Sequence, residues 1–286
     1  MFLLLSSQLF LQPLANGLRS FLQDTPVVSI MAFFAIWVMC WLPLVAILFM
    51  AFKWEFNKFL QLKPEQKIPL LVSLYILVPV ILWGYQQLNL GSFTEYGLVA
   101  KLSLLSSLLL GLSLGIIGIV VVFFLQYICG WCYLETANLK LIPAISLPIF
   151  FVALFVGGIE ELVFRGFLWT KLQEMCPIWL AAIISSLVFA VLHLVWEQTE
   201  TIPQLPGLWL MGMVLVFARI VDNNYLGIAW GLHAGWVWAI AIVDTSSIIS
   251  YTDKITDWVT GKYKKPLAGL AGVSCLLTTA GVLYLL

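Results

Sequence analysis

Ile142-Pro-Ala-Ile-Ser-Leu-Pro-Ile-Phe-Phe-Val-Ala-Leu-Phe-Val-Gly-Gly-Ile-Glu160-Glu161-Leu-Val-Phe-Arg165-Gly-Phe-Leu-Trp169 is an apolar run long enough to cross a bilayer, yet it carries two carboxylates and a guanidinium. A charge at the centre of a membrane helix costs ~2.5–3.5 kcal/mol on insertion scales, and such groups persist mainly where they face a polar cavity and act there. The stretch therefore reads as a membrane helix that holds a site.

The rest of the chain agrees about the solvent. It is 62% hydrophobic and 10% charged, with a mean hydropathy of +1.04, whereas a soluble domain has about 25% charged residues. Zero formal net charge and a sequence pI near 6.7 give no excess that would attract nucleic acid. Hydropathy and the ~20 residues needed per crossing mark about eight spans, near 27–52, 68–88, 102–129, 145–173, 178–196, 207–221, 225–243 and 266–286. The breaks between them are charged or proline-bearing. The fold expected is all-α, a polytopic membrane helix bundle. The span at 207–221 is the short one, and its loss would reverse the topology of all that follows.

Residues 1–26 read as an N-terminal interfacial segment. The run from Met1 to Gln23 is apolar but broken by Pro13, and its first eighteen residues lack the Lys or Arg of a secretory signal. Residues 27–286 read as a single transmembrane domain with its core at about 145–245. This describes an integral, multi-pass protein of the plasma membrane or an internal membrane. Alternate loops hold nine lysines (Lys53, Lys58, Lys63, Lys67, Lys140, Lys254, Lys262, Lys264, Lys265), against Arg19, Lys101, Arg165, Lys171 and Arg219 on the other side. By the positive-inside rule the lysine-rich loops are cytoplasmic.

Both histidines of the chain, His193 and His233, fall inside apolar helix candidates. Spans 4 and 5 form a hairpin turning near Cys176-Pro177, which puts Glu160 and His193 at about the same depth, each ~25 Å from the turn. His233, counted from Asp222, is expected ~16 Å in and somewhat below the other two unless its span starts deeper or tilts. Successive helix residues point ~100° apart, so the adjacent glutamates take different roles. Glu161 precedes Arg165 by four residues and is assigned to it as an ion pair, leaving Glu160 to face the cavity. Glu197, one turn after His193, reads as an interfacial carboxylate or an orienting partner for the ring. Gly227, Gly231 and Gly235 form a seam for a close neighbour, from which His233 points away; Gly111 and Gly115 offer a second seam. Cys129-Gly-Trp-Cys132 ends a span, not a strand-to-helix turn, and is not read as a redox motif. Tryptophans such as Trp54, Trp179, Trp196 and Trp258 suit an aromatic belt.

Glu160-Glu161-x-x-x-Arg165, then Phe189-x-x-x-His193, then His233, in that order on three helices, resembles the CAAX protease and bacteriocin-processing family of intramembrane glutamate endopeptidases, which includes the type II CAAX prenyl endopeptidases. The resemblance covers about a third of the chain. It implies an eight-helix fold with a cavity open to the cytoplasm, and hydrolysis of a peptide bond near the C-terminus of a membrane-associated substrate, with prenylated CAAX proteins as a candidate class. It implies that Glu160 and His193 activate water and that His233 supports the oxyanion, with Glu161, Arg165 and Phe189 in supporting positions. The partners implied are a peptide or lipidated protein and the membrane lipids. No cofactor is implied. One position departs from the family pattern: Val237 stands four residues after His233, where the family usually has Asn or Asp. A valine cannot donate to an oxyanion, and one such donor is worth ~10²–10³ in rate. Either another group substitutes, with Asn223, Asn224 and Trp236 as weak candidates, or the centre is slow, differently specific or inactive. Two alternatives stay open: a zinc protease using Glu160, His193 and His233 as ligands, and a non-catalytic scaffold or immunity protein of the same fold.

Overall fold

A computed structural model describes residues 16–17, 19–22, 25–55, 62–195, 198–252 and 254–286. Most of the expected interfacial segment, together with Lys58, Trp196 and Glu197, lies outside the described residues.

Seven helical stretches among the described residues are long and apolar enough to cross a membrane: Pro26–Ala51, Gln66–Gln87, Leu102–Ile128, Thr136–Gln173, Ile178–Val195, Gln198–Val221 and Gly227–Ser246. The chain is thus an all-α, polytopic integral membrane protein. Its principal helices are α1 (Pro26–Ala51), α2 (Pro64–Tyr75), α3 (Leu77–Gln87), α4 (Leu102–Ile128), α5 (Ile142–Glu161), α6 (Trp169–Gln173), α7 (Ile178–Leu192), α8 (Gln198–Thr201), α9 (Leu205–Val221), α10 (Gly227–Ser246), α11 (Asp257–Thr260) and α12 (Leu270–Tyr284). The only sheet among the described residues is a two-stranded antiparallel one, β1 (Cys132–Leu134) against β2 (Ile249–Tyr251), with Cys132 opposite Tyr251.

Two expected spans differ in length from the observed helices. The short span at 207–221 extends back to Gln198, because Pro203 and Pro206 occupy first-turn positions of successive helical segments, where a missing N–H costs nothing. The last span is the one that shortens. Pro266–Ala268 forms a separate tight turn, a β-carbon on Gly269 would stand 2.5 Å from the Gly261 nitrogen, and α12 begins only at Leu270.

Contacts gather the chain into two compact units, one drawn from residues 1–96 with 170–176, the other from 97–169 with 177–286. In the first, Thr25 caps α1 by accepting from the Val28 N–H at 3.3 Å. Phe33 meets Tyr85 edge to face, and the Tyr85 hydroxyl donates to the Ser29 carbonyl at 2.8 Å. The helix expected over 68–88 breaks at Ile76, because Pro79 has no N–H to offer the Tyr75 carbonyl one turn back.

The second unit is organised around α10, which runs parallel to α4 and packs on its other side against α5. The two glycine stripes are halves of one seam. A β-carbon on Gly231 would strike the Leu108 carbonyl and come within 2.5 Å of the Leu112 nitrogen. One on Gly115 would stand 2.7 Å from the Leu232 carbonyl, and one on Gly235 2.7 Å from that of Leu112. Backbone therefore touches backbone along this line, as small residues permit between membrane helices. On the opposite face of α10, Gly157 lies against Ala234, and the Trp230 indole, set over Gly158, donates to the Leu154 carbonyl at 2.8 Å. Helix α10 is held on both sides, and His233 sits between these contacts.

Candidate active site

Glu160 and Glu161 close α5, and the chain then passes into a π-helical turn, Leu162–Leu168, before α6. In that wider turn the Trp169 N–H reaches the Phe164 carbonyl five residues back. Every residue from Glu160 to Trp169 is buried. Turns of this kind recur at functional sites because they redirect side chains without ending the helix.

Glu161 makes the predicted pair with Arg165, 3.0 Å from Oε1 to Nη1, with both side chains essentially inaccessible. The same Oε1 also accepts from Nδ1 of His233 at 2.7 Å. That second bond was not expected from the sequence, which gave Glu161 to Arg165 alone. It makes Glu161 the group that orients His233: with Nδ1 donating to a carboxylate, Nε2 is turned toward Glu160, whose Oε2 is 3.6 Å away. The expected offset in depth between His233 and Glu160 is thereby corrected. The tip of the turn before α10, Asn223-Asn224, is exposed, but its flanks Asp222, Leu226, Gly227 and Ile228 are buried, so α10 starts within the fold and not at the surface as the count from Asp222 assumed.

His193 is presented by the end of α7. The helix tightens there to a 3₁₀ turn, His193–Val195, and the His193 N–H bonds to Ala190, three residues back. The Phe189 carbonyl, which a continuing α-helix would have used, accepts from His193 Nδ1 at 2.8 Å. A carbonyl can only accept, so Nδ1 carries the proton and Nε2 faces Glu160 Oε2 at 4.0 Å. The predicted meeting of Glu160 with His193 is observed. The His193 side chain is 33% exposed, against 10% for Glu160 and 3% for His233, so the site opens on the His193 side.

Phe189 is the packing hub. Its ring meets His193 at 4.6 Å, His233 at 5.9 Å and Phe164 at 5.2 Å between centroids, all edge to face. The Arg165 guanidinium lies over it at 4.2 Å, a desolvated cation–π contact.

Two residues read only as topological markers belong to the surroundings of the site. Arg219, counted above as a loop charge, is 2% exposed. Its Nη1 donates to the carbonyls of Arg165 and Gly166 in the π-turn, its Nε donates to the Asn224 carbonyl at 3.0 Å, and its plane lies 4.9 Å from the Trp169 ring. The available signal was its position inside an apolar run, the same signal that singled out Arg165. Asp222, read as a loop break, accepts from Ser107 Oγ at 2.6 Å and from the Ile228 N–H at 3.0 Å. Burial pushes its carboxyl above the usual carboxylate range, and these hydrogen bonds pull it partly back.

The suggested replacements for a donor at position 237 do not converge on the site. Asn223 and Asn224 are exposed in the α9–α10 turn with left-handed backbones. The Trp236 indole faces Gly118 of α4, and Val237 lines an apolar cavity of about 150 Å³ with Trp236, Met211 and Leu276. Zinc does not fit the three candidate ligands as they stand. Tetrahedral ligands at 2.0–2.1 Å are ~3.3 Å apart, shorter than both Glu160–histidine separations, and no group of three or more His, Cys, Asp or Glu among the described residues is arranged to hold a metal ion.

Residues 142–239 match the model of the Rce1-like type II CAAX prenyl endopeptidase family. The match covers about a third of the chain and contains Glu160, Glu161, Arg165, Phe189, His193 and His233. No curated protein and no solved structure matches the chain.

Proposed function

From the Rce1-like character of the segment that holds the site, which points to a CAAX-type intramembrane protease, we propose that the chain is a glutamate-type endopeptidase. It hydrolyses a peptide bond near the C-terminus of a membrane-associated substrate, with prenylated CAAX proteins as the leading class. The observation that carries the reading is the position of one carboxylate oxygen, Glu160 Oε2, facing Nε2 of His193 at 4.0 Å and Nε2 of His233 at 3.6 Å.

These separations are too long for direct hydrogen bonds and suit a water held between carboxylate and imidazole. In this reading Glu160 takes the water proton as the oxygen attacks the carbonyl carbon. His193, with Nδ1 fixed on the Phe189 carbonyl, accepts from that water through Nε2, then takes the proton from Glu160 and delivers it to the leaving amine as the C–N bond breaks. His233, turned by Glu161, presents Nε2 to the developing oxyanion and stabilises it when protonated. No serine or cysteine nucleophile is required. A substrate reaches the centre past His193, the exposed member of the set.

Val237 supports a second reading, in which the chain keeps the fold and has lost turnover. Hydrolysis of a fluorogenic farnesylated CAAX peptide by purified protein separates the two. Wild type is expected to cleave, Glu160→Gln and His193→Gln to lose at least about 10²-fold, and activity to survive exhaustive chelation. Loss on chelation would move the assignment to a metalloprotease. No cleavage by wild type, with Val237→Asn restoring it, would assign the non-catalytic reading.

A further inference from the structure

The helices α4 and α12 enclose a groove that the catalytic reading does not use. It holds about 450 Å³ and is lined by Leu114, Gly118, Val121 and, near one end, Gln126 of α4, with Cys129 and Trp131 just beyond, and by Ala271 of α12. The exposed surface of the groove is almost wholly apolar; Ser274, Thr278 and Thr279 of α12 add hydroxyls, and Gln126 is the one amide in the lining. Gln126 is 2% exposed, neither Nε2 nor Oε1 has a hydrogen-bond partner among the described residues, and both atoms are inaccessible until the side chain turns into the groove. A primary amide offers donors and an acceptor, and leaving both kinds unpaired in an apolar surrounding is costly.

The dimensions describe what would relieve it. Gln126 lies one turn from the end of α4, next to the Cys129–Trp131 turn that leaves the helix. From there to Leu114 the groove extends along twelve helical residues, or ~18 Å. That is close to half of a ~30 Å hydrocarbon core, the depth of a single leaflet. The site thus takes one aliphatic chain, inserted from one face of the membrane, with a head that both accepts and donates at the position of Gln126. A neutral carboxyl does this in one planar contact, its C=O accepting from Nε2 while its O–H donates to Oε1. We propose that the groove between α4 and α12 binds a long-chain fatty acid in its protonated form, head on Gln126 and chain toward Leu114.

The test reads binding, not turnover, and so stands or falls apart from the protease assignment. A palmitic acid probe with a chain-borne diazirine is photolysed with the full-length protein in phosphatidylcholine nanodiscs, and the adducts are mapped by mass spectrometry. Adducts are expected on α4 and α12, competed about tenfold better by palmitic acid and palmitamide than by methyl palmitate, which keeps the acceptor and lacks the donor. Raising the pH is expected to weaken competition by the acid and leave the amide unchanged. Gln126→Leu is expected to erase the tenfold preference, and Val121→Trp, at an exposed lining position, to remove the adducts. Equal competition by the methyl ester, or an unchanged preference in Gln126→Leu, overturns the proposal. So does displacement by farnesylated CAAX peptide, which would make the groove part of the substrate path. Should Gln126→Leu fail to fold, the ester comparison in wild type and the Val121→Trp variant still decide.

Discussion

Glu161 is the residue on which the other charges depend, because one buried oxygen serves both Arg165 and His233. Removing one partner of a buried ion pair strands the other and costs ~3–5 kcal/mol, whereas removing both is far milder. Glu161→Ala is therefore expected to lower thermal stability in detergent sharply, and Glu161→Ala with Arg165→Leu to recover much of the loss. Both variants are expected to remain poorly active, since neither holds His233. Equal unfolding midpoints for the single and double variants would contradict the pairing. The sequence made the Glu161–Arg165 half of this arrangement legible, since i, i+4 spacing in an apolar helix leaves little choice of partner. It could not show the second half, because whether His233 reaches Glu161 depends on where α10 begins, and that is set by the buried Asp222 and Leu226 that flank the turn.

At the scale of elements, α10 is fixed by its glycine seam and by the group at its start. Gly231→Ala places a β-carbon against the Leu108 carbonyl and the Leu112 nitrogen, so α4 and α10 must separate. Overpacking of this kind costs ~1–3 kcal/mol, and a lowered midpoint together with lost activity is expected, because His233 moves with α10. Asp222 adds a pH dependence. Its carboxyl is raised above the ordinary 3.8 by burial, so the folded state holds the proton more tightly than the unfolded chain. This contribution is greatest below pH 3.8 and is lost as the pH rises through the elevated value. The midpoint of wild type is expected to fall relative to Asp222→Asn over that window, and parallel curves would contradict it. The seam was readable from four-residue glycine spacing. The π-turn and the 3₁₀ end of α7 were not, since both are small changes in hydrogen-bond register with no composition of their own.

For the whole molecule, the lysine asymmetry gives an orientation that the second unit allows to be tested. Helices α4 and α10 run parallel, so Cys129, exposed beyond the end of α4, and Asn223, exposed before the start of α10, lie at opposite ends of the pair. A membrane-impermeant maleimide is expected to label Asn223→Cys in intact cells and Cys129 only after permeabilisation, and the reverse pattern would invert the topology. Burial of Arg165 and Arg219 takes two charges out of the count on the lysine-poor side and sharpens the contrast. The order of the spans and the place of seven of them were legible because hydropathy is additive along a chain; the expected eighth, 266–286, shortens to α12. The division into two compact units was not, because it depends on which apolar faces meet. The seam between α4 and α10 also determines how the protein answers to its lipid. Helices packed side chain to side chain can slide past each other as a bilayer thins or thickens, but two that meet main chain to main chain must tilt as one rod. His233 therefore keeps its level against α4 in membranes of different thickness, and the two helices answer to the bilayer as one body.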